Sequence, residues 1–213
     1  MKLRTLAMGS TDKRTQKTLK LLRDTWFDLL GQVGAGKITV TLLAEKANIS
    51  RKTFYAHYET LEDFCSSAVK DLLPVTCTVF TTETYKKYLE MGKTKEFEEF
   101  YRDQERRLNT ELREHPAELK VLLSPQNYDW FMDTLADIIS ETLPDCPGGK
   151  KETSVEGLEY NLIRSAAISS FQWKFRCLDV SSDEILKEYH EFSYRNFLRM
   201  CELMDELSRK NRY

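Results

Sequence analysis

Leu19, Leu22, Trp26, Leu29 and Leu30 recur at steps of three and four, with Phe27 and Val33 widening the stripe. That is the period of an amphipathic α-helix. It predicts a helix from Asp12 to Val33 that buries one side and carries Lys13, Arg14, Lys17, Lys20 and Arg23 on the other. Gly34-Ala35-Gly36 ends it. From Ile38 to Ala47 the same period returns over about two turns, with Val40, Leu43, Ala44 and Ala47 on one side and a threonine able to cap the start. Asn48-Ile49-Ser50 then forms a compact break: Asn tolerates a left-handed turn, Ile plugs the gap between helices, and Ser caps the next helix. That short third helix is predicted over Arg51 to Tyr58, with Phe54 facing the core. Thr60 caps a fourth from Leu61 toward Leu72, closed by Pro74.

Beyond Pro74 the periodic stretches lengthen. Val75 to Met91, Thr94 to Glu114, Pro116 to Leu123, Gln126 to Leu143, Ser154 to Cys177 and Ser182 to Ser208 all read as helices, and Pro144 to Thr153 reads as the clearest loop. The expected fold class is all-α: an N-terminal helix-turn-helix head of three helices over residues 10–60, and a helical-bundle body over 61–213 for regulation and dimerisation.

Charge sharpens this division. The net charge of −2 conceals eleven Lys and Arg against five Asp and Glu in residues 1–60, a net of +6 that leaves −8 on the rest. A basic head on an acidic body suits duplex DNA, whose phosphates supply non-specific affinity while the body repels them. Met1 to Thr11 is a polar, basic stretch that reads as a frayed terminus or as an arm for the minor groove. No signal peptide or membrane-length apolar run is seen, so the expectation is a cytoplasmic protein without membrane contact. Cys65, Cys77, Cys146, Cys177 and Cys201 are scattered and read as buried thiols, and His57, His115 and His190 fall on separate elements. Neither set has metal-ligand spacing, and no phosphate loop or nucleophile motif appears. No metal, cofactor or enzymatic activity is expected.

The third helix carries the chemistry. Arg51 and Lys52 can donate to guanine or phosphate, Thr53 can touch a thymine methyl, and Tyr55 and His57 can donate to phosphate oxygens. Over about 50 residues, from the first helix through Thr39-Val40-Thr41-Leu42-Leu43-Ala44-Glu45-Lys46-Ala47, Ile49-Ser50 and Thr53-Phe54-Tyr55-Ala56-His57-Tyr58, the chain resembles the TetR-like transcription regulators. The resemblance implies that Thr39 and Thr41 open the helix abutting the DNA backbone. It places Arg51, Lys52 and Thr53 on the major groove, and Tyr55 and His57 on phosphate. The chain differs from that family's usual pattern at Asn48, often Gly or Ala, and at Leu61, usually Lys.

The resemblance further implies a homodimer and a small-molecule effector that separates the two heads, so that a repressor leaves a palindromic operator. Leu186, Tyr189, Ser193, Phe197, Met200, Met204 and Leu207, with the small residues Ser165, Ala166, Ala167, Ser169 and Ser170, form the candidate interface of the last two helices. The same stripe would serve as intrachain core. The effector is expected among middle-helix aromatics, with Tyr85, Tyr101, Tyr128, Trp130 and Phe171 as candidate ligand contacts, although a helical body needs such residues for packing as well. Two rivals remain: a regulator of the same fold controlled by a protein partner, and a helical enzyme or scaffold whose basic head serves another anion.

Overall fold

The computed structural model describes residues 13–74, 82–142, 154–176 and 183–210, which form ten α-helices and one 3-10 turn, with no strand among them. The fold is all-α. The stretch 1–12 and the loop expected over 144–153 lie outside the described residues.

Helix α1 (Lys13–Val33) buries Leu22, Trp26, Leu29 and Leu30, the stripe expected from its period. It stops at Gly34, whose φ of 82° and ψ of 156° lie where a Cβ is not tolerated. The 3-10 turn Ala35–Lys37 leads to Thr39, whose Oγ1 accepts from the Leu42 amide at 3.1 Å and so starts α2 (Val40–Lys46). Its end is a Schellman motif: Asn48 adopts φ 51°, its amide donates to Glu45 O at 3.1 Å, and the Ile49 amide donates to Ala44 O at 2.9 Å. Asn48 thus supplies the left-handed residue the tight turn requires.

Ser50 accepts from the Thr53 amide at 3.0 Å and caps α3 (Arg51–Tyr55), which is shorter than the eight residues expected. Ala56 and His57 form a turn, and Tyr58 packs its ring against Phe64 with centroids 5.1 Å apart. Helix α4 (Leu61–Leu72) opens with a capping box in which Thr60 and Asp63 exchange bonds of 3.0 Å.

The body comprises α5 (Thr82–Met91), α6 (Lys95–Glu114), α7 (Pro116–Leu122, with Pro at its first turn), α8 (Tyr128–Thr142), α9 (Val155–Arg176) and α10 (Asp183–Lys210). The expected helix over 75–91 is described only from Thr82. Helix α9 lies along α10, α8 bridges α9 and α4, and α7 rests on α1. One apolar core runs from Leu22 to Met204 through head and body, and Phe64 of α4 completes the aromatic cluster of Trp26, Phe54 and Tyr58. The first turn of α4 therefore packs with the head.

Head and body also meet through one buried amide. Asn127, in the turn between α7 and α8, accepts from the Ala35 amide at 2.8 Å and donates to Leu30 O at 3.1 Å and Val121 O at 2.9 Å. Gln126 adds a bond to Leu30 O at 3.0 Å. The end of α1 and the approach to α2 are thereby tied to the body.

Candidate nucleic-acid interface

Phe54 has no solvent exposure, and its ring meets Phe64 at 5.8 Å and Tyr58 at 5.7 Å. This anchor fixes the rotation of α3, so its other side must face outward. Arg51, Lys52 and Tyr55 are exposed there, and His57 is exposed in the following turn instead of on the helix. Thr39 and Thr41 are exposed at the start of α2, and Lys37 and Lys46 add two exposed cations that no sequence motif marked. Thr53 differs from its neighbours: it is half-buried, and its Oγ1 lies 2.9 Å from Ser50 Oγ. Its hydroxyl is engaged in the cap, which leaves the methyl for any apolar contact with a base.

The cations divide by partner. In α1, Lys20 pairs with Asp24 at 2.6 Å and Arg23 pairs with Asp71 of α4. In the body, Arg102 bridges Glu98 at 2.8 Å and Glu191 at 2.9 Å, and Lys70 of α4 reaches Glu141 at 2.8 Å. Among the described residues Lys37, Lys46, Arg51 and Lys52 form no ion pair. The two of these on the short anchored α3, Arg51 and Lys52, keep their positive charge free for an external anion.

The candidate ligand contacts among the middle aromatics differ in burial. Tyr101 is buried, with its hydroxyl 2.9 Å from Ser193 Oγ and its ring 5.3 Å from Phe197. Trp130 packs edge-on to Trp26 at 5.8 Å. Tyr85 and Tyr128 are half-buried against the core, and the side chain of Phe171 lies outside the described residues.

The expected interface stripe on α10 turns inward. Tyr189, Ser193, Phe197, Met200 and Met204 are buried within the chain, because α10 lays this face on α9 and α6. The side chains of Leu186, Leu207 and Ala167 lie outside the described residues. Of the small residues on α9, Ser165 and Ser169 are exposed, Ala166 is half-buried and Ser170 is buried. Among the described residues, the large apolar side chains these two helices leave in solvent are Val155, 81% exposed, with Leu158 and Leu162 on α9, and Ile185 and Phe192 on α10.

Residues of α6, α9 and α10 form a polar cluster that the sequence did not signal. His190 Nδ1 bonds Glu105, itself buried, and the buried Lys174 ammonium finds no hydrogen-bond acceptor among the described residues. It lies 5.4 Å from the Tyr189 ring centroid, and burial lowers its pKa to about 8, partly opposed by Glu105. Between about pH 8 and 10.5 the unfolded chain keeps a proton on this lysine that the folded chain has released. Raising pH through that window therefore favours folding, and below it the penalty is full.

The unfolding free energy of wild type minus that of Lys174→Met should rise by about 3 kcal/mol across the window in urea titrations. A flat difference would show that the lysine titrates alike in both states. The comparison cancels the opposite trend from Cys65, whose thiol burial pushes up to about 12, and from Cys201, Tyr101 and Tyr189, which burial also raises. Cys65 and Cys201 are free, buried thiols; the other three cysteines lie outside the described residues.

Among the described residues no group of His, Cys, Asp and Glu is placed to hold a metal ion, and no helix is long and apolar enough to cross a membrane. No family model and no curated protein matches the chain. Among solved structures it is similar to a TetR-family transcriptional regulator from Streptomyces coelicolor, at 14% identity and a TM-score of 0.40, over 86% of this chain and 99% of that one.

Proposed function

We propose that the chain is a DNA-binding transcription regulator, a cytoplasmic homodimer that represses from a palindromic operator and is released by a small-molecule effector. The observation that carries the DNA half is the anchored α3. Buried Phe54 sets its orientation, while Arg51, Lys52 and Tyr55, with His57 beyond its end, stand in solvent without ion-pair partners among the described residues. Arg51, Lys52 and the Thr53 methyl read the major groove; Tyr55, His57, Thr39 and Thr41 hold the phosphates on either side. Residues 10–60 act as the reading head, and residues 61–213 pair the subunits and hold the effector.

Dimerisation rests on α9 and α10. Val155, Leu158 and Leu162 recur at steps of three and four and stand in water. An exposed apolar stripe on a helix calls for a covering. A second copy related by a twofold axis supplies that covering and places two α3 helices on successive major grooves.

Selection of bound duplexes from random DNA tests both halves together. The expected product is an inverted repeat with half-site centres about 34–36 Å apart, bound with an affinity that falls steeply with salt. An unenriched pool, or binding indifferent to salt, would overturn the assignment.

A further inference from the structure

Lys37 closes the 3-10 turn Ala35–Lys37 between α1 and α2, and the backbone around it is tied on both sides. The Ala35 amide is held by Asn127 Oδ1 of the body at 2.8 Å, the Lys37 amide donates to Gly34 O at 3.2 Å, and the Ile38 amide donates to Ala35 O at 3.1 Å. Ile38 is buried, and Thr39 then caps α2. The Lys37 side chain, by contrast, is exposed and makes no ion pair among the described residues. It precedes the exposed Thr39 by two residues, at most about 7 Å of chain, so its flexible stem brings the ammonium to the same stretch of any anion that the start of α2 meets. The other candidates for that position fail on geometry or charge. Lys46 lies five positions after Thr41, about 140° around α2, and so leaves that face. The first turn of α4 begins with the half-buried Leu61 and carries the exposed carboxylates Glu62 and Asp63, which repel phosphate.

We propose that Lys37 is a DNA-backbone contact of the head, its ammonium donating to a phosphate oxygen beside Thr39 and Thr41 from a turn whose course the body fixes through Asn127. A phosphate contact carries no sequence information, so Lys37 adds affinity to every duplex alike, whereas Arg51 and Lys52 on α3 distinguish one duplex from another. Its contribution comes from counterion release and is therefore read in the salt dependence of binding. The proposal deepens the DNA half of the function above and rests on it.

Anisotropy titrations of the full chain on selected and scrambled duplexes, repeated over a range of salt, test it. Lys37→Gln should lower the slope of log affinity against log salt by about one per head and weaken both duplexes about fivefold per head near physiological salt. Helical circular dichroism and the unfolding midpoint should stay unchanged, because the side chain is exposed and unpaired among the described residues. Lys37→Arg should restore slope and affinity. Gly36 is exposed, and a Cβ added there meets nothing within 4 Å. Gly36→Lys combined with Lys37→Gln therefore keeps the wild-type net charge while turning the cation about 120° around the 3-10 turn. That variant should stay as weak as Lys37→Gln alone. An unmoved slope in Lys37→Gln would remove the contact, and full recovery on moving the charge to position 36 would reduce it to a diffuse positive field. Loss confined to the selected duplex would make Lys37 a base reader and overturn the phosphate assignment. Wild-type chain that binds no duplex at any salt overturns the DNA reading itself; wild-type binding with an indifferent Lys37→Gln overturns this contact alone.

Discussion

Joint Arg51→Ala and Lys52→Ala substitution should reduce specific duplex affinity by about 2–6 kcal/mol per head, at least roughly 30-fold, because a good base contact is worth about 1–3 kcal/mol. Stability should stay within about 0.5 kcal/mol per substitution, since both side chains are exposed and neither has an ion-pair partner to strand. Anisotropy titrations on the selected duplex and on scrambled DNA separate the roles. Loss confined to the selected duplex marks base reading, and equal loss on both marks phosphate contact. Tyr55→Ala with His57→Ala should weaken both duplexes alike. Unchanged affinity in either double variant would remove those residues from the interface.

Asn127→Ala should destabilise the chain by about 2–4 kcal/mol, from the lost bonds and from one half-buried backbone amide left bare. Magnitudes decide which group that is. Leu30 O retains Gln126 Nε2 at 3.0 Å, and Val121 O retains Ser124 Oγ at 2.7 Å. The Ala35 amide, bonded to Asn127 Oδ1, has no second acceptor among the described residues. Gln126→Ala, at an exposed residue, should cost under about 1 kcal/mol. Denaturant unfolding measures both, and a loss below about 0.5 kcal/mol for Asn127→Ala would show that the amide does not hold the head. Because Asn127 joins the end of α1 to the turn after α7, its loss should also weaken DNA binding while Arg51 and Lys52 remain intact.

The elements of the head were largely legible because their signals are local. A left-handed Asn, a serine cap and a threonine cap act within four residues of chain, and Asn48, Ser50 and Thr60 take the conformations and bonds those roles require. Phe54 could be assigned to the core since its neighbours on α3 are polar. The end of α3 was less legible. Tyr58 continues the helical period in sequence, yet its ring turns into the cluster with Phe54 and Phe64 after the helix has ended at Tyr55.

The α10 stripe shows the limit of period. Steps of three and four group Tyr189, Ser193, Phe197, Met200 and Met204 on one face, but they do not name what covers it. The covering is α9 and α6 of the same chain. Asn127, Glu105 and Lys174 were invisible for a related reason. Polar residues of these types are mostly exposed, and only packing brings Asn127 to the end of α1 or strips water from Lys174.

By itself, then, the sequence determined what depends on neighbours along the chain: helical periods, caps, the turn at Asn48, the basic head and acidic body. Tertiary structure alone decided which faces meet, which cations keep no partner, and where Asn127 holds the turn that carries Lys37. Those outcomes depend on how helices separated by tens of residues exclude water from one another, and no local pattern carries that information.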